Sequence, residues 1–600
     1  MNTHRIGYIV IRNFRLCREV SFTLEDFTPL VGQNNTGKSA ILKAISWILS
    51  PSALLQTDFF DSEKPVEVCA RIDGITKDII DMLPEQKHRT AITPYCEKGF
   101  LWIRAIATGT TAKAITKEVY DYESYSENGV PSTWKAYPTG LPQAVQSLLP
   151  EPLQIETIKD IGEDLGKAKA GTTIKGLLDE IVDPIIASHK EINSALDTVR
   201  SIITSTGENR SQHLDNFDKK ASEALGGFFT GLKLNLDLPV IEAKDFFKSG
   251  DLLVEDTITG DKRRFDQMGT GAQRAIQMAL LRYLADIRRS QISETHSRRL
   301  LLIDEPELYL HPQGVRRLRQ ALEFLSTSGF QVIFSTHSPL MLSREKAACT
   351  VIVRKDKEIG TTVSKPLLDV VSKAMNCAES QSKTLFQLGN IAEIYFSERV
   401  VVCEGKTDQR LLPLAYEKLY GHPPDMDHIT FVSLGSCADI PKALPVLNAM
   451  GIKSCAVADL DFAFTHARRC GKDSLLPTED NETKEIRALF SSLKHEHEIP
   501  LADNGLPGNS QGLQWTVSDV WALAAKDSKG KHIATSVHDE LKKKGVWIWP
   551  VGCIEHVTEH EKKGESAIIQ QEEEIKKMDT SQLETTMPLF KECFDWIKSI

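Results

Sequence analysis

The stretch VVVCEGKTDQRLL, residues 400–412, begins as a short, apolar, β-branched run and then turns sharply polar at Glu404 and Asp408. Such a run fits a parallel strand covered on both faces. Gly405 allows a tight turn, and Asp408 falls one helical turn beyond Glu404, so both carboxylates can point at one spot. Two acids so placed make a metal site, or else the acidic N-terminus of a helix favoured by the macrodipole. The stretch by itself leaves both readings open.

Its sequel narrows them. Residues 409–420 can form a crossover helix, HITFVSLGS (428–436) a second strand ending at Gly435, and IKSCAVADLDFAF (452–464) a third strand delivering Asp459 and Asp461. Three parallel strands would then present acids at their carboxyl ends, where open α/β sheets place ligands. An Asp-x-Asp alone is usually a surface pair, but the ordered series of Glu-Gly-x-x-Asp, a later Gly and then Asp-x-Asp is specific. Four hard oxygen ligands without histidine suit Mg²⁺ or Mn²⁺ better than zinc. The pattern resembles the Toprim fold, whose acids bind divalent metals for cutting or joining phosphodiesters; the resemblance implies two such ions serving both oxygens of an in-line displacement.

The N-terminal third carries VGQNNTGKSAILKAISWIL (31–49), which fits GxxxxGK[ST] from Gly32 to Ser39. Gly32 and Gly37 let the loop curl, with Asn35 between them, so that backbone N–H groups face phosphate oxygens. Lys38 then reaches the β- and γ-phosphates, and Ser39 offers its hydroxyl to Mg²⁺. Pro29 sits awkwardly in the strand that should precede this loop. Downstream, RRLLLIDEPELYLHP (298–312) reads as a buried strand ending in Asp304, a metal-holding acid, and Glu305, the base that polarises the attacking water. QVIFSTHSP (331–339) repeats the pattern and positions His337 to sense the γ-phosphate. Between them, FDQMGTGAQRAIQMALLRYL (265–284) opens a helix at Gly269 and Gly271, with free N–H groups ready for an anion. These ordered motifs, with YIVIRNFR (8–15) as an opening strand, resemble the ABC ATPase fold of the SMC-like branch. In that fold the GTGAQ signature of one subunit closes on ATP held by another, which implies a dimer or higher oligomer. Gln56 in LLQTDFFD is the nearest candidate for the Q-loop glutamine.

The chain of 600 residues is too long for one core and implies about three or four domains. We divide it into an ATPase part over 1–130 and 231–360, a helical insertion over 131–230 that serves as an oligomerisation arm, linker helices over 361–395, and a Toprim domain over 396–600. The fold class is α/β, a Rossmann-like Toprim domain following an ABC ATPase. A composition of 41% hydrophobic and 26% charged residues is that of a soluble globular protein, and no apolar run approaches the ~18 residues of a membrane span. With no secretory layout at the start, the cytoplasm is the expected location. The 11 scattered cysteines include no zinc-module spacing, so reduced thiols and no structural zinc are expected. A net charge of −10 argues against bulk attraction to nucleic acid and leaves only local basic clusters, HARRCGK (466–472), LKKKG (541–545) and EKKG (561–564).

An SMC-like ATPase followed by a Toprim domain, joined through NIAEIYFSERVVVCEGKTD (390–408), is similar to the OLD (overcoming lysogenization defect) family of nucleases. The resemblance implies a further glycine and acid after a late strand, which VWIWPVGCIEHVTEH (546–560) supplies as Gly552 and Glu555, the latter a ligand for the second metal. It also implies a following lysine that stabilises the transition state, Lys562 or Lys563. DNA is the implied substrate, a homodimer or homotetramer the implied assembly, anti-phage defence the implied role, and a partner helicase or a retron nucleic acid the implied company. The competing class is an ATP-dependent DNA-end-binding scaffold with a non-catalytic Toprim fold. Mutual repulsion of Glu404, Asp408, Asp459 and Asp461 without metal counts against it. A topoisomerase or primase is the third reading, against which no space remains for a tyrosine-bearing cleavage domain and no zinc-binding Cys cluster precedes the Toprim segment.

Overall fold

The computed structural model describes residues 4–83, 85–96, 98–120, 131–149, 152–155, 190–204, 208–226, 235–236, 253–290, 298–343, 346–364, 366, 391–468, 474–508, 515–558 and 564–600. They form two compact units, Met1–Leu30 with Gly37–Met341, and Val31–Thr36 with Leu342–Ile600. The division falls earlier than residue 360, because Ile352 shares an apolar core with Val400 and Val432 of the second unit.

In the first unit, β1 (Arg5–Phe14), β2 (Cys17–Thr23), β3 (Phe27–Val31), β4 (Val66–Asp73), β5 (Phe100–Ala107), β6 (Ile115–Tyr120) and β7 (Trp134–Ala136) precede a short β8 (Leu153–Ile155). One run of neighbours is β7-β6-β5-β4-β1-β2 and is antiparallel throughout. A hairpin of β9 (Leu253–Glu255) and β10 (Lys262–Arg264) comes before β11 (Arg299–Asp304) and β12 (Phe330–Thr336). The second run is β3-β12-β11-β8, in which β11 pairs in parallel with both β12 and β8. Thus β7 and β8, which lie in the stretch expected to be a helical insertion, are sheet strands. Helices α1 (Lys38–Leu49), α2 (Lys190–Ile203), α3 (Gln212–Gly226), α4 (Thr270–Ser290) and α5 (Pro312–Thr327) complete the part that matters here. Within the stretch expected to be a helical insertion, 190–203 and 212–226 are helical, while 156–189 lie outside the described residues. Met278, Leu281 and Leu284 of α4 and Val315, Leu318 and Leu322 of α5 bury against Leu301, Ile303, Val332 and Phe334, so alternate residues of two parallel strands share one helical layer.

In the second unit β13 (Val351–Asp356) and β14 (Gly360–Val363) pair antiparallel. Then β15 (Arg399–Cys403), β16 (Ile429–Ser433), β17 (Lys453–Ala458) and β18 (Val546–Ile548) form a parallel sheet in the order β16-β15-β17-β18. The β-branched run of β15 is buried on both faces: Val400 and Val402 enter one core, Val401 and Cys403 the other. The same alternation sends Ala456 and Ala458 of β17 one way and Cys455 and Val457 the other. Helix α6 (Lys406–Tyr420) covers the second face, whereas α7 (Ile440–Ala449), α8 (Val517–Lys526) and α9 (Ser528–Lys543) cover the first. A four-residue helix α10 (Ile554–Val557) and α11 (Glu565–Lys577) follow β18. No helix among the described residues is long and apolar enough to cross a membrane.

Gly530 marks where α9 starts against α8. A Cβ there would fall inside the van der Waals radius of the Ala524 carbonyl oxygen and 2.9 Å from Leu489 Cδ2. Helix propensity alone would make Gly530→Ala stabilising by about 1 kcal/mol, but the backbone contact cannot yield cheaply, so a net loss of roughly 1–3 kcal/mol is expected. Denaturant or thermal melts check the sign, and a more stable variant would contradict this packing.

Candidate active sites

The first site collects at the carboxyl ends of β11 and β12. Asp304 stands opposite Ser335 in the parallel register, so both leave their strands side by side. Ser39, in the first turn of α1, donates to Asp304 Oδ2 at 2.8 Å and to Oδ1 at 3.0 Å. Lys38 is buried beside them, and burial holds its ammonium down at about 8 against the pull of Glu305, Asp304 and Glu307. In the phosphate-loop segment, Gly32, Asn35 and Gly37 have φ of 157°, 61° and 107°, the left-handed side of the map, which two glycines and an asparagine tolerate best. Glu305 also lies there, at φ 49°, strain that persists because its neighbours hold it. Its N–H donates to Ser335 Oγ at 2.9 Å, and its carbonyl accepts from Arg274 Nη2 at 2.8 Å. Its side chain meets His337 Nε2 at 2.9 Å, a contact that lowers the Glu305 carboxyl below its ordinary range.

Gly269 is exposed just before α4, and Gly271 lies in the first turn, where a Cβ would come 3.7 Å from Tyr309. Gln56 is exposed in a short 3₁₀ turn. Pro29 is accommodated in the buried β3. Sequence reading missed Arg274, Ser335 and Glu307. Arg274 is 1% exposed and donates to the backbone carbonyls of Asp304 and Glu305. The signal was present, since Arg274 falls on the same helical stripe as the buried Met278 and Leu281, where an arginine needs a partner.

The second site forms at the carboxyl ends of β15, β16 and β17. Cys403 pairs with Ser433 on one side and Val457 on the other, so Glu404 leaves the sheet level with Ala458, one residue before Asp459. The Asp459 N–H donates to Glu404 Oε2 at 3.1 Å. Oxygens of Glu404, Asp459 and Asp461 all lie within 4.8 Å of one another. Asp408, expected to point at the same spot as Glu404, stands deeper: it is 4% exposed in the first turn of α6, within 3.4 Å of Trp549 Nε1 and of the Gly405 N–H. Burial and then the charges of Glu404 and Glu555 push its carboxyl up to about 7. Glu555 is buried in α10, just past Gly552, whose φ of 121° and whose carbonyl accepting from Leu460 N at 2.7 Å fix the turn after β18 against the Asp459–Asp461 segment. Cys437 was also missed. Its thiol is raised, first by burial and then by Glu404, Asp461 and Asp459, which puts it at the edge of the acid cluster. Lys562 and Lys563 lie outside the described residues.

Taken together, the two sites define a class: a nucleotide-hydrolase domain and an acidic Toprim-type sheet in one polypeptide. Residues 5–96 and 110–342 match the AAA ATPase domain family, and residues 395–461 match the TOPRIM domain of the overcoming lysogenization defect protein-like family. The Old nuclease of Escherichia phage P2 is 34% identical over 563 residues, 92% of this chain and 93% of that protein. The chain belongs to the OLD family of nucleases. The OLD nuclease of Thermus scotoductus is 25% identical over 483 residues, 75% of this chain and 81% of that one. Among solved structures, an SMC head bound to the C-terminal winged-helix domain of ScpA matches 60% of this chain and 97% of its own, at 14% identity and a TM-score of 0.33.

Asp408 makes stability depend on pH. A carboxyl whose folded pKa exceeds its unfolded value binds its proton more tightly in the folded chain, so its contribution is fully present below roughly pH 4 and is lost as pH rises through about 7. In chelator, the protein should therefore melt at falling temperatures between about pH 5 and about pH 8, and Asp408→Asn should flatten that fall. Parallel melting curves for the two proteins across this range would refute the assignment.

Proposed function

We propose that the chain is an ATP-hydrolysing, divalent-metal-dependent DNA endonuclease. The observation that carries this reading is the convergence of the Glu404, Asp459 and Asp461 oxygens within 4.8 Å at the ends of parallel strands. Three carboxylates at that spacing repel one another, and an all-oxygen donor set fits a hard cation. In this reading Glu404, Asp459 and Asp461 hold one Mg²⁺ or Mn²⁺, and Asp408 with Glu555 holds a second. When bound, the ions supply charge stabilisation at the scissile phosphate. The chain's own part is to hold the acids in place: the Asp459 N–H aims Glu404, and the Trp549 Nε1 aims Asp408. Lys562 or Lys563 would add positive charge at the displaced phosphate.

In the ATPase domain Lys38 would bind the β- and γ-phosphates, with Ser39 and Asp304 at the nucleotide's Mg²⁺. Glu305 would take the proton of the attacking water, with His337 fixing its carboxylate from 2.9 Å. Gly269 and Gly271 of a second copy would close the site, so the working form is a dimer or tetramer. DNA as substrate, a role in anti-phage defence, cytoplasmic residence, and a helicase or retron nucleic acid as partner rest on the family relationship.

The test is incubation of the purified protein with plasmid and Mg²⁺ or Mn²⁺, with and without ATP. Asp459→Ala should abolish cutting and leave ATP hydrolysis intact, while Glu305→Gln should lower hydrolysis roughly 10²–10⁴-fold and spare nucleotide binding. Cutting at the wild-type rate by folded Asp459→Ala would end the Toprim nuclease reading. DNA binding without cleavage by the wild-type protein would favour a scaffold.

A further inference from the structure

We propose that Glu307 is a positioning residue for ATP hydrolysis that acts through His337. The proposal rests on the ATPase reading above and concerns a side chain two residues beyond its proposed base. Glu307 Oε1 accepts from Thr336 Oγ1 at 2.6 Å, from the His337 N–H at 2.8 Å and from the Ser338 N–H at 3.2 Å. One carboxylate oxygen thus gathers three donors of the turn that leaves β12. That turn carries His337, and the imidazole lies 2.9 Å from Glu305. The path from Glu307 to the Glu305 carboxylate therefore runs through one turn and one side chain.

The need for such a tie is local. A parallel strand that ends in a turn leaves backbone N–H groups unmatched by the sheet, and a turn with unmet donors has no single preferred shape. Ser335 is fixed from the strand side, since it bonds both the Asp304 carboxylate and the Glu305 N–H. In the next three residues the Thr336 hydroxyl and the His337 and Ser338 N–H groups all donate to Glu307, and the Ser338 N–H also reaches Thr336 Oγ1 at 3.0 Å. Meanwhile the segment that carries Glu307 is itself bent, with left-handed backbone at Glu305 (φ 49°) and Tyr309 (φ 64°). A charged acceptor forms stronger bonds than a neutral one and can hold two irregular segments at a constant separation. Loss of the tie would leave His337 in place on average but free to move away from Glu305, and small displacements of a catalytic group are costly.

The alternative is a purely structural cap, in which Glu307 stabilises the turn without bearing on hydrolysis. Steady-state ATP hydrolysis and binding of a fluorescent ATP analogue, measured on the full chain, separate the two. Glu307→Ala should lower kcat about tenfold or more and leave nucleotide affinity within about threefold, because the phosphate loop is untouched. Glu307→Gln keeps one amide oxygen as acceptor and should return kcat to within about threefold of wild type. Since the effect passes through His337, the double variant Glu307→Ala/His337→Ala should be no slower than His337→Ala alone, within about twofold. Should Glu307→Ala fail to fold, Thr336→Val removes one of the three donors and leaves the carboxylate in place. It should lower kcat about threefold or more relative to wild type and have no effect in the His337→Ala background.

Wild-type kcat in Glu307→Ala, wild-type kcat in His337→Ala, a Gln variant as slow as the Ala variant, or losses that multiply in the double variant would each overturn the proposal. Failure of the parent reading looks different. Hydrolysis unaffected in Glu305→Gln would remove Glu305 from the role of base, and with it the site reading on which this proposal rests. Hydrolysis lost there but intact in Glu307→Ala would remove only the role given to Glu307.

Discussion

Register in the four-stranded parallel sheet is the constraint on which the second unit depends. Cys403 faces Ser433 and Val457, and this pairing brings Glu404 out of the sheet one residue before Asp459. Because side chains alternate faces along a strand, a slip by one residue would exchange Val400 and Val402 with Val401 and Cys403 between two different cores. Both cores are fully apolar at those positions, with exposures from 0% to 1%, so the slip would also drive Arg399 inward and lift Glu404 off the sheet end. The packing of two ordinary hydrophobic layers is therefore what holds three carboxylates within reach of one another.

That concentration of charge is unfavourable for the isolated chain. Asp408 shows the cost most clearly, since burial and its acidic neighbours keep its proton on nearly to neutrality. Two neutral donors, the Trp549 indole and the Gly405 N–H, hold its oxygens in the meantime. An arrangement that keeps acids oriented by weak neutral bonds, with no basic side chain bonded to Glu404 or Asp408 among the described residues, leaves the compensating charge to come from outside the fold.

The first unit uses the same device with different chemistry. Parallel register again sets two strand ends side by side, Asp304 opposite Ser335, and polar side chains then stitch the turns that follow. Buried Arg274 closes the underside by donating to the carbonyls of Asp304 and Glu305. Its guanidinium, lowered to about 10 by burial, stays charged at any working pH and opposes the crowd of acids around it. The strained backbone at Glu305 is the consequence of all these ties meeting at one residue.

Much of this was legible in the residues. The Gly32–Ser39 loop, the acids after the strand at 299–304, and the strand-then-acid series from Glu404 to Asp461 are local patterns, each set by turn chemistry and by the two-residue period of buried strands, and they needed no distant partner to be read. The strands at 134–136 and 153–155 were illegible because three-residue strands carry no periodicity of their own; they exist by pairing with β6 and β11. Glu307, Ser335, Arg274 and Trp549 escaped for a related reason, since their partners lie from 29 to 141 residues away and a side chain's hydrogen-bond partner is decided by packing. Sequence alone determined which strands end in acids, because burial pattern and turn residues are encoded locally. Tertiary structure alone decided that Glu404, Asp459 and Asp461 form one cluster while Asp408 sits deeper beside Glu555, because only the register of the sheet and the fit of α6 and α10 against it set those distances.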